Sequence, residues 1–508
     1  MQQPILKTIN DLNKWKNNLE ENINFVPTMG NLHKGHLELI HQSNKDGSNE
    51  TLVSIFINPL QFNDKRDFKN YPKTIEKDIR LAFSSGANAI FVPSEKEILN
   101  IKSLIYQKAC KKLSSNLCGK SREGHFDGVC TIVLRMLKII NPQKMFLGEK
   151  DWQQVMILKN MVKKLNLKVE IKSINTQRDA DGVPFSSRNN LLTTSERKDL
   201  QFFSKELKKA KKNFLVNKVI NLGEINNSFK KKNLKVEYLQ HLSAFSLNES
   251  IDKENITILA GAILCGSTRL IDHVFLMKRK PIIAIDGPAG SGKSTVTKLI
   301  AKKLDFIYLD TGAMYRALSW FLIDQKTSYE NDYILEECLK KLNIVFKTNL
   351  NSDQDIFIND ICVTNKIRSQ KISSIVSSIA SIGKVREFLV KEQRKIGDKG
   401  GIVAEGRDIG TTVFPKAEIK IYLNASIDER AKRRKIELEI QGQDINFDKL
   451  KDQIKQRDLD DSTRNISPLV KAEDAIEIIT DNYTAEQIAN KIIQIFYEKL
   501  PKEIKNDF

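Results

Sequence analysis

The stretch Pro281-Ile-Ile-Ala-Ile-Asp-Gly-Pro-Ala-Gly-Ser-Gly-Lys-Ser-Thr295 decides how the chain is organised. Its apolar run, Ile282–Ile285, is rich in β-branched residues and predicts a buried strand. Gly287–Ser294 then matches G-x-x-x-x-G-K-[ST], a loop whose main-chain N–H groups surround phosphate oxygens. A helix is predicted directly after it. Because such a loop usually opens its domain, we expect the preceding residues to form a separate unit.

Length and composition set the broad class. A chain of 508 residues is too long for one hydrophobic core and predicts roughly three domains. Its net charge of +19 would be compatible with nucleic-acid binding. The lysines are scattered rather than gathered in blocks, however, which favours a solvated surface and polyphosphate substrates.

The cysteines and apolar stretches predict the compartment. The six cysteines form no C-x-x-C pair, so they indicate neither a zinc site nor a redox motif. We expect reduced thiols in a cytoplasmic protein. The apolar stretches are short, so we expect neither a signal peptide nor a membrane span.

Strand and helix patterns alternate in the first half of the chain. The predicted strands are 23–27, 52–57 and 89–92, and the predicted helices are 37–44 and 71–85. This alternation predicts a parallel sheet covered by helices, with a site at the carboxyl ends of its strands. Thr28-Met29 and Asn58–Gln61 fall there. Beyond Arg188, two Lys-rich helices and strands at 236–239 and 256–260 predict a small α+β domain.

Two histidines stand out after the first strand. His33 and His36 lie three residues apart at a predicted helix start, so both can face one ligand. Imidazole N–H donors beside a helix N-terminus suit the charge that builds on an α-phosphate during nucleotidyl transfer. A single histidine would more often be structural, but two in H-x-G-H after a strand and a Gly turn favour function.

The second half predicts further elements around the phosphate loop. They are a strand end, turn and helix start at 308–316, strands at 343–348 and 356–364 around a polar turn at 349–355, one long helix at 375–394, and strands at 401–405 and 419–423. Arg430, Arg433 and Arg434 share one helical face, which predicts a lid over phosphates, with a surface charge cluster as the alternative. This half contains no histidine, which fits phosphoryl transfer.

The first half resembles pantothenate synthetases of the nucleotidyltransferase superfamily. Motifs in the family's order span about residues 1–278: Pro27–His36, Ile57–Phe62, Tyr71-Pro72, Gly124–Phe126, Phe146–Asp151, Gln153-Gln154, Ser186–Asn189 and Arg269–Asp272. Glu123 departs from the family, which usually has proline there. The resemblance implies that pantoate and ATP form pantoyl adenylate and pyrophosphate. β-Alanine then displaces AMP to give pantothenate.

The same resemblance implies roles for individual residues of the first half. His33 and His36 would hold the ATP phosphates, Met29 would lie beside the reacting groups, and Gln61 and Gln154 would bind pantoate. The nucleotide would contact Thr28, Gly148, Lys150, Asp151, Ser186, Ser187 and Arg188, the last three forming a mobile phosphate-binding segment. Asp78 is a weaker candidate for a magnesium ligand, and a solvated helix face explains it equally well.

The second half resembles cytidylate kinases of the bacterial type. The matching motifs are Gly287–Thr295, Asp310–Arg316, Ile367-Arg368, Val385–Glu387, Gly406–Pro415, and Arg457-Asp458 with Asp461 and Arg464. They span residues 281–508, and the small inserted β unit fits the same type. The resemblance implies transfer of a phosphoryl group from ATP to CMP or dCMP.

This second resemblance also implies residue roles. The cytosine and ribose would be read by Thr311, Arg407, Asp408, Arg457 and Asp461, with Arg464 as a further substrate contact. The acceptor phosphate would be held by Tyr315, Arg316 and Arg386. ATP would be bound by Gly287, Gly290, Gly292, Lys293, Ser294 and Thr295, with Lys293 on the β- and γ-phosphates and Ser294 on magnesium. Arg430, Arg433 and Arg434 would close over the transferring group.

We therefore expect an α/β protein with two enzyme activities. A Rossmann-like nucleotidyltransferase domain would span 1–178, a small α+β closing domain 179–278, and a P-loop nucleoside monophosphate kinase domain 281–508. ATP would be a substrate in both halves, with Mg²⁺ and the small molecules pantoate, β-alanine and CMP or dCMP. We expect no nucleic-acid or membrane partner, and family analogy suggests a homodimer through the first half. The alternatives are an ATP-dependent nucleic-acid-binding protein and a chain in which one half is only a structural partner.

Overall fold

The computed structural model describes residues 3–45, 47, 49–63, 65–100, 104–327, 329–348, 354–440, 442 and 446–507. Its contacts divide the chain into two compact units. The first unit comprises residues 1–278 together with Pro501–Asp507, and the second comprises Arg279–Leu500. The last residues of the chain are therefore part of the first unit by their contacts, although they follow the second unit in sequence.

A parallel sheet forms the centre of the first unit. Its strands are β1 (Ile5–Leu6), β2 (Asn22–Thr28), β3 (Asn49–Ile55), β4 (Ala89–Phe91), β5 (Lys144–Gly148) and β6 (Glu170–Ile174). They lie in the order β1-β4-β3-β2-β5-β6. Phe25, Val26, Leu52 and Val53 are all fully buried, as expected for strands covered by helices on both faces. The predicted parallel sheet is confirmed.

Helices and short turns surround this sheet. The helices are α1 (Ile9–Asn17), α2 (Lys34–Ser43), α3 (Lys65–Lys69), α4 (Ile75–Ser84), α5 (Glu95–Ile98), α6 (Lys111–Ser114), α7 (Leu117–Ser121), α8 (His125–Ile140), α9 (Trp152–Lys164), α10 (Thr194–Asn217) and α11 (Leu222–Lys231). The 3₁₀ turns are Pro59–Gln61, Glu149–Asp151, Asn189–Leu191, Ile251–Lys253 and Lys502–Asp507. Helix α4 begins at Ile75 rather than at the predicted residue 71, because a residue before proline, here Tyr71, is disfavoured in the helical region.

An antiparallel sheet completes the first unit. Its strands are β7 (Lys235–Ser243), β8 (Ile256–Cys265) and β9 (Thr268–Met277), in that order. Helix α10 covers this sheet, and Phe203 and Leu207 pack with Leu259 and Ile263 in its core. Strand β9 was not among the predicted strands, since Arg269–Asp272 drew attention only as a motif.

The second unit is also built on a parallel sheet. Its strands are β10 (Ile282–Asp286), β11 (Ile307–Asp310), β12 (Ile344–Thr348), β13 (Gln354–Ile358), β14 (Ile361–Cys362), β15 (Ile402–Gly406), β16 (Ile419–Asn424) and β17 (Ile476–Ile479). The main sheet has the order β11-β15-β10-β16-β17, so the phosphate-loop strand is central. Strands β12, β13 and β14 form the predicted inserted β unit as an antiparallel sheet. Residues 349–353 of its predicted turn lie outside the described residues.

One predicted helix of the second unit is wrong. The helices are α12 (Lys293–Leu304), α13 (Thr311–Asp324), α14 (Asp332–Lys340), α15 (Gln370–Ser381), α16 (Gly383–Gly397), α17 (Ile427–Ile440), α18 (Phe447–Thr463) and α19 (Ala485–Lys499). The segment 375–394 is two helices, because Ile382 is extended at φ −75° and ψ 122°. The break lets the Arg386 guanidinium donate to the Ala380 carbonyl at 2.9 Å, satisfying an acceptor that a helix end leaves open.

No helix within the described ranges combines the length and apolar character needed to cross a membrane. All six cysteines carry free thiols.

Candidate active sites

A cavity of about 280 Å³ lies at the carboxyl ends of β2 and β3 in the first unit. It brings together side chains from distant parts of the sequence. The predicted residues on its wall are Thr28, Met29, His33, His36, Gln61, Gly148, Lys150, Asp151, Gln154, Ser186, Ser187 and Arg188. Asp78 is the one predicted site residue of this half that does not line it.

The two histidines are fixed by main-chain donors. The His33 Nδ1 accepts from the Gly35 N–H at 3.1 Å, and the His36 Nδ1 accepts from the His33 N–H at 3.4 Å. Burial, reinforced by the Lys150 cation, lowers the pKa of His33 to about 4. Burial also lowers the pKa of His36 well below its usual value. Both rings are therefore neutral near pH 7, and each Nε2 carries the proton that it can donate.

Asp78 positions the loop that carries these histidines. It is buried on α4, and its carboxylate accepts from the N–H groups of Asn31 and Leu32 at 2.8 Å each. The Thr74 hydroxyl adds a third hydrogen bond at 3.0 Å. Gly30 has φ +81°, and a Cβ there would lie 3.0 Å from the Asp78 Oδ2. These contacts explain Asp78 as an anchor of the loop better than as a metal ligand.

Gln61 is held by residues to which sequence reasoning gave no role. Its main-chain carbonyl accepts from Arg122 Nη2 at 3.0 Å and from His125 Nδ1 at 2.7 Å. Its side-chain Nε2 lies 2.8 Å from the Met29 sulfur. Arg122 and His125 also line the cavity. His125 lies in the motif Gly124–Phe126, so the signal was present in the sequence, but a single histidine does not reveal which carbonyl it contacts.

The neighbouring glutamines of α9 have different surroundings. Gln153 is buried and donates to the carbonyls of Leu113 and Asn116 at 2.9 and 2.8 Å. Gln154 instead lines the cavity, since adjacent helical residues face different directions. The geometry therefore assigns Gln153 to packing and leaves Gln154 available to a substrate.

The segment Ser186–Arg188 closes one side of the cavity through weak contacts. Asn31 Nδ2 donates to the Ser187 carbonyl at 2.8 Å, and the Tyr71 hydroxyl lies 3.3 Å from Ser187 Oγ. Arg188 pairs with Asp67 at 3.1 Å, with both side chains partly exposed. Partly exposed ion pairs contribute little stability, so Arg188 can leave Asp67 for a phosphate at small cost.

A second cavity, of about 570 Å³, lies in the second unit beside the phosphate loop. The predicted residues on its wall are Gly290, Lys293, Ser294, Thr311, Tyr315, Arg316, Arg386, Arg407, Asp408, Arg434, Arg457, Asp461 and Arg464. Gly287, Gly292, Thr295, Arg430 and Arg433 do not line it. A Cβ on Gly287 would lie 2.0 Å from the Leu423 carbonyl oxygen, so only glycine fits at that position.

Lys293 is buried inside its own loop. Its ammonium donates to the Pro288 carbonyl at 2.7 Å. Burial and the nearby Arg407 cation lower its pKa. The nearby Glu405 and Asp286 carboxylates oppose this lowering of the pKa, and the negative charge of a bound triphosphate would oppose it further.

Glu405 is a functional candidate that the sequence analysis missed. It is the second-last residue of β15, the strand next to β10, and the parallel pairing brings the last residues of both strands to the same edge. Its carboxylate accepts from the Ser294 hydroxyl at 2.9 Å and from the Tyr308 hydroxyl. Burial raises its pKa. In the sequence, Glu405 could have been noticed as an acidic residue directly after the apolar run Gly401–Ala404.

The opposite wall of this cavity holds paired charges. Arg386 donates to Asp408 at 2.6 Å, with both side chains buried, and its guanidinium lies 5.4 Å from the centre of the Tyr315 ring. Arg407 pairs with Asp461 at 2.8 Å. Burial and the Arg407 cation lower the pKa of Arg457. This wall therefore has cations that favour an anionic ligand, together with carboxylates that can accept hydrogen bonds from it.

The three arginines of α17 have different partners. Arg430 is buried and makes a bidentate pair with Asp458 at 2.9 and 2.6 Å. It also donates to the Ala289 carbonyl of the phosphate loop at 3.3 Å. Arg433 donates to Thr480 at 3.0 Å. Of the three, only Arg434 lines the cavity, although all are on the helix that follows β16.

Comparisons with known proteins give the same division of the chain. A family model described as pantoate-beta-alanine ligase matches residues 4–275, and one described as cytidylate kinase matches residues 283–498. A protein of Prochlorococcus marinus subsp. pastoris named bifunctional pantoate ligase/cytidylate kinase is 58% identical over 508 residues, covering 99% of this chain and 100% of its own. A protein of the same name from Prochlorococcus marinus strain MIT 9215 is 59% identical over 506 residues, covering 99% of both chains.

Solved structures include a pantoate-beta-alanine ligase from Francisella tularensis complexed with beta-gamma ATP and beta-alanine. It is 35% identical, covers 54% of this chain and 98% of its own, and has a TM-score of 0.47.

The buried imidazole of His33 should titrate far below the usual range. We expect a midpoint of about 4 instead of 6.5, because burial disfavours the charged ring. The folded state then binds this proton less tightly than the unfolded chain, so stability should fall as the pH drops from about 6.5 to about 4. NMR of histidine-labelled protein measures the midpoint, and the spectrum of His33→Gln identifies the resonance. A midpoint near 6.5 would contradict the neutral-donor arrangement.

Proposed function

The chain belongs to the bifunctional pantoate ligase/cytidylate kinase family, and from that premise we propose how its residues carry out the two reactions. The first unit joins pantoate to β-alanine with ATP, and the second transfers a phosphoryl group from ATP to CMP. The observation that carries this proposal is that each family match contains a cavity lined by its own motif residues.

In the first reaction, the neutral histidines would act as hydrogen-bond donors. A pantoate carboxylate oxygen attacks the α-phosphorus of ATP, and the bond to the β-phosphate oxygen breaks, releasing pyrophosphate. Negative charge builds on the α-phosphate oxygens during this step. The Nε2–H groups of His33 and His36, with the Lys150 ammonium, would stabilise that charge. β-Alanine nitrogen then attacks the acyl carbon, and AMP leaves.

Gln61 and Gln154 would orient pantoate for this attack. Both line the cavity, and Asn58 Nδ2 donates to the Gln61 amide oxygen at 3.2 Å. Because Asn58 holds the amide oxygen, the amide nitrogen of Gln61 faces Met29 and would face the substrate. Arg188 would exchange Asp67 for a phosphate when ATP binds. Asp78 would act as a positioning residue that keeps the H-x-G-H loop in place.

In the second reaction, Lys293 would exchange the Pro288 carbonyl for the β- and γ-phosphates. Arg316, Arg386 and Tyr315 would hold the CMP phosphate, and Arg434 would stabilise charge on the transferring group. Arg430 would support the phosphate loop at Ala289 instead of touching the phosphates. Thr311 donates to the Glu405 carbonyl at 2.7 Å, so its hydroxyl is free only to accept from a ligand.

The nucleobase would be read at the charged wall. Arg407, Asp408, Arg457, Asp461 and Arg464 provide guanidinium donors and carboxylate acceptors there. Carboxylate acceptors suit the 4-amino group of cytosine, which uracil lacks. We propose that dCMP, as well as CMP, accepts the phosphoryl group.

Ser294 and Glu405 would hold Mg²⁺ in the second site. Their side-chain oxygens are 2.9 Å apart, and hydroxyl and carboxylate oxygens are ligands that Mg²⁺ accepts. Mg²⁺ usually keeps several waters and substrate phosphates and needs only one or two protein oxygens. When bound, it would neutralise charge on the β- and γ-phosphates.

We also propose the functional domains 1–178, 179–278 and 281–508, a cytoplasmic location and a homodimer through the first unit. Residues 501–507 at the end of the third range belong to the first unit by their contacts. The six free thiols agree with a reducing compartment. The dimer is an analogy with stand-alone pantothenate synthetases.

His36→Ala tests the ligase mechanism. Removal of one donor to the α-phosphate should lower the rate of pantoyl adenylate formation on the order of 100-fold, as for loss of an oxyanion donor. The measurement is pantoate-dependent exchange of pyrophosphate into ATP. CMP phosphorylation by the same preparation is the control and should be unchanged. Full exchange activity in the variant would remove His36 from the mechanism.

Lys293→Ala tests whether the two reactions depend on separate sites. This ammonium would contact the β- and γ-phosphates directly, so CMP phosphorylation should be lost. Pantothenate synthesis should continue at the wild-type rate, because the described residues that line the first cavity all come from the first unit. Loss of both activities in a folded variant would show that the sites are coupled.

Acceptor specificity tests the base site. UMP presents a carbonyl where CMP presents an amino group, so carboxylates of the wall would be left unpaired. The kcat/KM for UMP should be at least about 100-fold below that for CMP. A coupled ADP-release assay with CMP, dCMP, UMP and AMP measures it. Equal values for CMP and UMP would contradict the assignment.

A further inference from the structure

Glu149 is a buried carboxylate directly before two residues of the ligase cavity. It begins the 3₁₀ turn Glu149–Asp151, whose Lys150 and Asp151 line the cavity. Its side chain is fully buried and is not part of the cavity wall. A buried carboxylate is costly unless its oxygens accept hydrogen bonds, so the donors around Glu149 decide whether this turn keeps its shape.

Most of these donors come from the C-terminal segment of the chain. The Lys502 N–H lies 2.8 and 3.0 Å from the two carboxylate oxygens of Glu149, and the Glu503 N–H lies 3.4 Å from one of them. The Ser173 hydroxyl on β6 donates at 2.9 Å. Burial raises the pKa of Glu149, and the bonds from Lys502 and Ser173 oppose that rise.

The C-terminal segment is itself seated in the first unit. Pro501 is buried and Ile504 is fully buried. The Glu503 carboxylate lies 4.0 Å from the Lys211 ammonium of α10. Burial raises the pKa of Glu503, and the Arg178 and Lys211 cations oppose the rise. The segment is therefore held in the first unit by apolar, ionic and main-chain contacts together.

We propose that residues 501–507 are a positioning element of the ligase site. Their N–H groups fix Glu149, and Glu149 fixes the turn that presents Lys150 and Asp151 to ATP. This inference rests on the proposed function of the first unit. Because the segment directly follows α19 of the second unit, the kinase part of the chain carries a piece of the ligase framework at its end. The isolated residues 1–278 would lack that piece.

Two matched variants of the full chain test the proposal. Lys502→Pro removes the N–H that reaches both Glu149 oxygens, and proline is tolerated at a first helical position. Lys502→Ala keeps that N–H and is the control. Lys502→Pro should raise the KM for ATP in pantothenate synthesis at least tenfold with a smaller change in kcat, and Lys502→Ala should stay within about twofold of wild type, because it keeps the main-chain donor to Glu149.

Truncation after Leu500 and Glu149→Gln complete the test. Each should raise the KM for ATP as Lys502→Pro does, and combining them should add little, because both remove one interaction. CMP phosphorylation should stay at the wild-type level in every variant, which shows that the second unit is folded. An unchanged KM for ATP in Lys502→Pro and in the truncated chain would overturn the proposal. Absence of pantothenate synthesis in the wild-type chain would overturn the proposed function itself, and the inference with it.

Discussion

The need to place N–H donors and cations around phosphate oxygens, away from water, governs both units. Each unit places these donors at the carboxyl edge of a parallel sheet, where the N-termini of the following helices favour anions. The first unit uses a loop held by the Asp78 carboxylate. The second uses a glycine loop so close to Leu423 that no side chain fits at Gly287. In each case a few main-chain contacts fix the loop, and the reactive side chains depend on them.

The two sites differ in the chemical groups that they offer to phosphate oxygens. Neutral imidazoles at His33 and His36 give directed N–H donors without a fixed charge, which suits a transition state whose charge appears on the α-phosphate. The second unit instead gathers guanidinium groups and the buried Lys293, which suits a phosphoryl group with charge spread over several oxygens. Many of these cations already have carboxylate partners, such as Asp408 for Arg386. The partners hold the site together before substrate arrives.

The sequence predicted the elements that local residue patterns control, and it missed the features that depend on contacts between residues far apart in the chain. The phosphate loop, the strand before His33 and the parallel sheet of the first unit follow from short apolar runs and turn residues, and the structure confirms them. The helix break at Ile382 was missed because the apolar periodicity continues through it, while the contact that the break allows, from Arg386 to the Ala380 carbonyl, joins residues on two different helices. Asp78 and Glu405 gave weak signals because their partners, Asn31 and Ser294, are remote in sequence. The contact of Lys502 with Glu149 could not be predicted, since no pattern at either end of the chain points to the other.

The central claim is that one chain carries two complete and separate ATP-dependent sites. Phosphorus NMR of the purified full-length protein with ATP and Mg²⁺, combined with anion-exchange chromatography of the nucleotides, tests it most directly. AMP, with one pyrophosphate for each AMP, should accumulate over many turnovers only when pantoate and β-alanine are both present. CDP and ADP should form only when CMP is present, and both sets should accumulate at undiminished rates when all substrates are mixed. Failure of either set to form, or formation of one set only in the presence of the other's substrates, would contradict the account.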